Sequence, residues 1–124
     1  MVSLEKLGVT VLRAQQSEQF YFAMDAREKA ACKAQHQAAF AKIRTATSYD
    51  LVVLDELLDA VALGLIDEEA VCRYLAEKSG GSEVVLTGRE AGPAIAACAD
   101  YHSHIHCVKH PYKSGVPARR GIEY

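Results

Sequence analysis

The run Leu51-Val52-Val53-Leu54-Asp55-Glu56 decides the fold class, because four consecutive apolar residues end in two acids. An unbroken apolar run of this length is typical of a strand that is buried on both faces of a parallel sheet. Asp50 precedes the run, and a short helix is predicted from Leu57 to Leu63, where Gly64 stops it. The run therefore predicts a central strand that leads directly into a helix.

Other apolar segments extend this pattern toward both ends of the chain. Three of them predict further strands, at residues 9–13, 83–87 and 101–108. Because predicted strands alternate with predicted helices, we expect an α/β fold, with a mainly parallel sheet and helices on both faces.

Three helices are predicted between and beside these strands, at about 25–44, from 67 to 78, and from Pro93 onward. In the first, Asp25 and Glu28 have the spacing of a capping box. The same helix is rich in alanine, and four alanines recur at helical spacing: Ala30, Ala34, Ala38 and Ala41. We expect this alanine face to pack on the sheet.

Length and composition place the chain among ordinary globular domains. It has 124 residues, enough for a single domain over residues 1–124, and half of its residues are hydrophobic. The net charge of −2 indicates neither a nucleic-acid-binding protein nor a membrane-surface protein, and no apolar run is long enough to span a bilayer. The N-terminus has no apolar signal core, so a cytoplasmic location is expected.

The four cysteines are far apart in the sequence, at Cys32, Cys72, Cys98 and Cys107. No C-x-x-C pair occurs. In a cytoplasmic chain such cysteines are predicted to be reduced and partly buried, since structural disulfides are rare in that compartment.

Candidate ligand groups follow the predicted strands, where open α/β sheets bind their ligands. Asp55-Glu56 has the form of a Walker B segment, in which the acids face a nucleotide-bound magnesium ion. The alternative is that both acids cap the next helix.

Two basic groups also follow predicted strands. In Thr87-Gly88-Arg89, the glycine permits a sharp exit from the strand and the arginine can bind a phosphate; the alternative is a solvated arginine. Lys109-His110 begins a basic tail that either holds phosphates or only improves solubility.

A rival site consists of His102, His104 and His106, which would share one face of a strand. Three imidazoles can bind zinc, with water as the fourth ligand. However, side chains on one face of a strand are ~7 Å apart, too far for all three to bind one ion. Surface histidines are the favoured interpretation, and a small zinc-binding protein is the alternative.

An ordered set of motifs resembles one family over about residues 4–124. Val52-Val53-Leu54-Asp55-Glu56-Leu57 is followed by Val85-Leu86-Thr87-Gly88-Arg89, then by Val108-Lys109-His110-Pro111, and finally by Gly121-Ile122-Glu123-Tyr124. This order is similar to that of the P-loop ATP:corrinoid adenosyltransferases. The resemblance implies transfer of the 5′-deoxyadenosyl group of ATP to cob(I)alamin or a corrinoid precursor, with Mg²⁺.

The resemblance also implies roles for particular residues. Glu56 matches the acid that binds magnesium, and Asp55 and Thr87 are expected to contact the nucleotide. Arg89 and Lys109 are expected to face the phosphates as catalytic residues. Phe20 and Phe22 fall in the region that lies over the corrin ring in some members.

The sequence departs from this family in one respect, because no G-x-x-x-x-G-K-[ST] loop occurs in it. That loop holds phosphates with its backbone amides and binds magnesium through its hydroxyl group. The chain is therefore expected to be the C-terminal part of such an enzyme, with an incomplete P-loop nucleotide-hydrolase-like fold. An open sheet edge would follow, so a homodimer is predicted. The alternative is a non-catalytic homologue that has lost ATP binding.

Overall fold

A computed structural model describes residues 2–14, 19–46, 48–78 and 81–122. Its helices and strands, in chain order, are α1 (Val2–Lys6), α2 (Ala26–Thr45), β1 (Leu51–Leu54), α3 (Leu57–Ala62), α4 (Glu68–Lys78), β2 (Glu83–Leu86) and α5 (Pro93–Ala97). Short 3₁₀ helices lie at Tyr21–Ala23 and Pro111–Ser114. None of the described helices is both long and apolar enough to cross a membrane.

The sheet of the described chain consists of β1 and β2, which are parallel. Leu51 pairs with Glu83 at one end and Leu54 with Leu86 at the other. Helices α3 and α4 form the connection between the strands, as parallel pairing requires a crossover. The predicted α/β class and parallel pairing are thereby confirmed.

Helix α2 begins at the predicted capping box. The Asp25 carboxylate accepts a hydrogen bond from the Glu28 amide, and the Glu28 carboxylate accepts one from the Asp25 amide, each at 2.8 Å. The expected alanine face is wrong, because all four of its alanines are exposed. The buried face instead carries Cys32, Ala39 and Phe40. Burying an aromatic ring removes far more apolar area from water than burying methyl groups, so Phe40 sets the orientation of the helix.

The core lies between α2, α4 and one face of the sheet. Val71 and Tyr74 of α4 are fully buried, and the Tyr74 ring meets the Phe40 ring edge to face, with centroids 5.7 Å apart. Leu54 of β1 and Ile95 of α5 complete this cluster. Side chains from α2, α4, α5 and β1 therefore share one hydrophobic core.

The strand β1 is not buried on both faces, which corrects the prediction from its apolar run. Successive strand residues point to opposite faces. Leu54 is buried, but Leu51 and Val53 are 56% and 55% exposed, and Val85 of β2 is 43% exposed. Within the described part of the chain, therefore, one face of the sheet is covered and the other is open.

Two predicted strands are absent from the residues that the structure describes. Residues 9–13 and 101–108 form no ladder with another strand, and every residue from 101 to 108 is exposed. β-branched residues favour an extended backbone, but a strand also needs a partner and a packed face. Neither segment has them, so both predictions are wrong.

Candidate functional site

The carboxyl ends of the two strands bring distant polar residues together. Because Leu54 pairs with Leu86, the residues that follow these two are neighbours at one edge of the sheet. The Thr87 hydroxyl donates to Asp55 Oδ1 at 2.7 Å and accepts from the Glu56 amide at 2.9 Å. We call six residues at this edge the strand-end cluster: Asp55, Glu56, Asp59, Thr87, Gly88 and Arg89.

The backbone of the cluster is held to both neighbouring elements. The Thr87 amide donates to the Leu54 carbonyl, and the Thr87 carbonyl accepts from the Leu58 amide, each at 3.2 Å. Thr87 therefore connects the end of β1 to the first turn of α3. The Leu58 amide lies in the first turn of α3 and has no acceptor within the helix, so the Thr87 carbonyl supplies its hydrogen-bond partner.

Glu56 is the second of the two residues that connect β1 to α3. Its φ of +54° is left-handed, and among the described residues it is the only non-glycine with a positive φ. Such a conformation costs of order 1 kcal/mol for a residue with a side chain. Glu56 occupies the N-cap position, yet its side chain makes no capping hydrogen bond.

The alternative that Asp55 and Glu56 cap the helix is therefore wrong. The Asp55 carboxylate is bonded to Thr87 rather than to the helix amides. Both acids are exposed at the edge of the sheet. Within the described chain, the Glu56 carboxylate makes no hydrogen bond or ion pair and is available to a ligand.

Arg89 is anchored by a residue that the sequence did not single out. Its Nε donates to Asp59 Oδ1, and its backbone amide donates to Asp59 Oδ2 at 3.1 Å. The Arg89 side chain is 87% exposed, whereas that of Asp59 is 19% exposed. The hydrogen bond from Arg89 lowers the pKa of the Asp59 carboxyl. The only signal for Asp59 in the sequence is its place in the first helical turn after the two acids.

Gly88 lets this loop approach α3. Its φ is +152°, and a Cβ atom on it would lie 2.5 Å from Leu58 Cβ and 3.0 Å from Asp59 Oδ2. The position of Leu58 Cβ is fixed by the helix backbone, so a change of side-chain rotamer cannot relieve the first contact. The close approach places the Arg89 amide on the Asp59 carboxylate, so Gly88 is a structural requirement of the cluster.

A cavity of about 630 Å³ is lined by Leu58 and by the residues that follow Arg89 in the chain. Its ionisable lining residues are three acids and one base: Asp67, Glu68, Glu90 and Lys33. A polyphosphate would be repelled by this excess of negative charge. If phosphates bind this protein, the exposed Arg89 side of the cluster suits them better than the cavity.

The two phenylalanines and Lys109 are all exposed. The Phe20 and Phe22 rings stack with centroids 5.5 Å apart, and the residues are 71% and 81% exposed. Lys109 is exposed, and no hydrogen bond or ion pair joins it to the strand-end cluster in the described part of the chain. It does not follow a strand, because none forms at 101–108. The roles predicted for Phe20, Phe22 and Lys109 stay predictions.

The histidines of the tail do not share the face of a strand, since 101–107 forms none. Among residues 2–14, 19–46, 48–78 and 81–122, no group of three or more His, Cys, Asp or Glu side chains could hold a metal ion. His110 has a local structural contact instead. Its Nδ1 accepts from the Tyr112 amide at 3.2 Å and so caps the second 3₁₀ helix.

The pairing of Asp59 with Arg89 predicts a pH-dependent stability. A carboxyl with a lowered folded pKa stabilises the fold above its unfolded pKa of about 4, and this contribution is lost as the pH falls through the folded pKa. We expect Asp59→Asn to lower the free energy of unfolding at pH 7 by up to about 1 kcal/mol, because the arginine is exposed.

Urea unfolding of the wild type and Asp59→Asn at pH 7 and in strong acid measures this difference, which should shrink in acid. Glu69→Gln is the matched control, since it removes an acid from an exposed pair with Arg73. A difference of the same size at both pH values would contradict the assignment.

Comparisons with known proteins agree with the order of motifs. The family model for ATP:corrinoid adenosyltransferase BtuR/CobO/CobP matches residues 1–124. The corrinoid adenosyltransferase of Escherichia coli (strain K12) is 36% identical over 97 residues, which cover 78% of this chain and 49% of that protein.

Two other relatives show shorter matches. Corrinoid adenosyltransferase CobA of Salmonella typhimurium is 40% identical over 75 residues, 60% of this chain and 38% of that protein. The corrinoid adenosyltransferase of a Sinorhizobium species is 39% identical over 75 residues, 60% of this chain and 35% of that protein. The chain thus spans about half or less of the length of these relatives.

Proposed function

Because the chain belongs to the ATP:corrinoid adenosyltransferase BtuR/CobO/CobP family, we propose that it acts in transfer of the 5′-deoxyadenosyl group of ATP to a reduced corrinoid. The strand-end cluster carries this proposal. It brings together the available carboxylate of Glu56, the Asp55 carboxylate that is bonded to Thr87, and the exposed guanidinium of Arg89. These groups lie at the edge where α/β sheets bind ligands.

Glu56 would hold the magnesium ion of MgATP. Its carboxylate is a hard oxygen ligand, exposed and without a partner among the described residues, and Mg²⁺ needs only one or two such ligands from a protein. The strained backbone of Glu56 supports this role, because strain of this kind is concentrated at functional sites. The bound ion would neutralise charge on the phosphates.

Asp55 and Thr87 would set the geometry of that site. Since the Thr87 hydroxyl donates to the Asp55 carboxylate and accepts from the Glu56 amide, it holds that carboxylate and the Glu56 backbone in place. Direct contact of Thr87 with the nucleotide remains a prediction. The structure supports Thr87 as a positioning residue for the two acids.

Arg89 would bind the phosphates. Asp59 holds it through Nε and the backbone amide, which leaves the two terminal nitrogens of the exposed guanidinium to face an anion. When the cobalt nucleophile attacks the 5′-carbon, the triphosphate leaves with its negative charge, and an anchored guanidinium stabilises that charge without reorganising. Lys109 is proposed to add a second cation from the basic tail.

Phe20 and Phe22 would contact the corrinoid. Their stacked rings present an exposed apolar surface just before α2, where no described residue covers them. A corrin ring is broad and largely apolar on its faces, so it can cover such a pair. Cob(I)alamin and a corrinoid precursor are the candidate substrates.

A homodimer is proposed on the basis of the open sheet face. Leu51, Val53 and Val85 expose apolar surface there, and the outer edges of both strands have no partner strand within the described chain. Pairing of two copies would cover these groups. A monomeric mass at micromolar concentration in solution would contradict this proposal.

The binding of MgATP to the purified chain tests the proposed function by calorimetry. We expect binding that requires magnesium, is lost in Glu56→Gln and is kept in Glu69→Gln, which removes an exposed acid on α4. The adenosyl-transfer assay with a reduced corrinoid would follow. Absence of binding at millimolar ATP would support the alternative, a non-catalytic homologue, for which the absence of a G-x-x-x-x-G-K-[ST] loop from this sequence is the motivating observation.

A further inference from the structure

Two cysteines that are far apart in the sequence lie on neighbouring helices. Cys72 is half-buried in α4, and Cys98 is the exposed C-cap residue of α5. The two helices pack against each other. Both cysteines are reduced thiols in this structure.

The start of α5 lies against the first turn of α4. At the start of α5, Gly92 lies against the Glu68 carboxylate, so closely that a Cβ atom on Gly92 would be 2.0 Å from Glu68 Oε1. Glu68 and Cys72 are four residues apart and lie on one face of α4. Since α5 also packs on α4, its C-terminal end, where Cys98 lies, is placed near the turn of α4 that carries Cys72.

The face that α5 turns to α4 is also defined. Ile95 is buried in the core with an exposed fraction of 3%. Cys98 is three residues later, on the same side of the helix, and its amide donates to the Ile95 carbonyl at 3.0 Å. The facing sides of the two helices thus both present a thiol.

The two thiols are near enough to interact. Burial is the main cause that raises the pKa of the Cys72 thiol, and a hydrogen bond with the Cys98 thiol raises it further. A raised pKa keeps Cys72 protonated and slow to react with small reagents. The exposed partner is therefore the thiol that meets a reagent first.

We propose that Cys72 and Cys98 are a redox modification site, which a small disulfide such as glutathione disulfide converts into an intramolecular disulfide. Cys98 loses its proton, and its thiolate attacks one sulfur of glutathione disulfide, releasing one glutathione. The Cys72 thiolate then attacks the Cys98 sulfur and releases the second glutathione. Two thiols are oxidised to one disulfide, and one glutathione disulfide is reduced to two glutathiones.

The cross-link would close the chain between α4 and α5, a segment that includes β2 and half of the strand-end cluster. Closing such a loop restricts the unfolded chain and stabilises the folded one. We expect the thermal midpoint to rise by about 5 °C or more on oxidation, and to return on reduction. This inference does not depend on the proposed function.

Treatment of the full reduced chain with glutathione disulfide, followed by mass spectrometry of peptides without reduction, tests the site. We expect a cross-linked peptide pair that contains Cys72 and Cys98, and an intact mass lower by two hydrogen atoms. Cys98→Ser, at an exposed position, should lose the cross-link and the thermal shift, and Cys107→Ser should keep both.

Two outcomes would overturn the proposal. One is glutathione retained on Cys98 with no cross-link to Cys72. The other is a cross-link from Cys98 to Cys107 or Cys32, which would show that chain mobility rather than helix packing selects the partner.

Discussion

Gly88→Ala is expected to disrupt the strand-end cluster and to lower the free energy of unfolding by about 3 kcal/mol. The new Cβ atom would be 2.5 Å from Leu58 Cβ and 3.2 Å from the Asp59 amide nitrogen. Neither neighbour can move without shifting the first turn of α3. The φ of +152° adds backbone strain for any residue with a side chain.

The shift of α3 would also break functional contacts. Arg89 would lose its backbone hydrogen bond to Asp59, and the Leu58 amide would lose its bond to Thr87. Urea unfolding measures the stability loss, and calorimetry measures the loss of MgATP binding. We expect binding to fall at least tenfold in protein that is still folded.

Gly64→Ala is the control for this substitution. Gly64 also has a positive φ, +68°, but nothing lies within 4 Å of the position where its Cβ would be. It should therefore show the strain alone, about 1 kcal/mol. Equal losses of unfolding free energy in the two variants would mean that the close contact of residue 88 with Leu58 does not contribute to the effect of Gly88→Ala.

Glu56→Gly is expected to separate stability from binding. Glycine adopts a φ of +54° without steric cost, so the substitution relieves strain and should raise the free energy of unfolding by up to about 1 kcal/mol. It also removes the carboxylate proposed to bind magnesium. We therefore expect a more stable protein whose MgATP affinity falls more than tenfold.

Glu56→Gln is the comparison for this prediction, because it removes the charge and keeps the strained backbone. Its stability should stay near that of the wild type, while its MgATP binding should be lost as in Glu56→Gly. Thermal unfolding and calorimetry on the same samples give both quantities. A glycine variant that is less stable than the glutamine variant would contradict the strain interpretation.

Several features of the fold followed from local sequence. The capping box at Asp25 and Glu28 predicted the start of α2, and the apolar run before Asp55 predicted β1. These predictions succeeded because the deciding interactions join residues a few positions apart. The expected neighbourhood of Asp55-Glu56 and Thr87 also held, since parallel strands place their carboxyl ends at one edge.

Other features depended on contacts between distant segments. The apolar segments 9–13 and 101–108 have no partner strand in the described chain. Helix α2 buries the face that carries Phe40 rather than its alanine face, because the Phe40 ring has the larger apolar area. The role of Asp59 needed the loop after β2 to reach α3. Local preference is too weak to decide such cases, because burial and pairing contribute more free energy than propensity does.

The sequence by itself determined the α/β class, the strand that ends in two acids, and the family to which the chain belongs. Hydrophobic periodicity and helix caps depend on residues a few positions apart, and the order of the motifs can be read directly along the chain. Only the tertiary structure decided that Thr87 bonds to the Asp55 carboxylate and the Glu56 amide, that Asp59 anchors Arg89, and that the helices of Cys72 and Cys98 pack together. The residues named in each case are more than 20 positions apart, and packing of α3 and α5 on their neighbours brings their segments together.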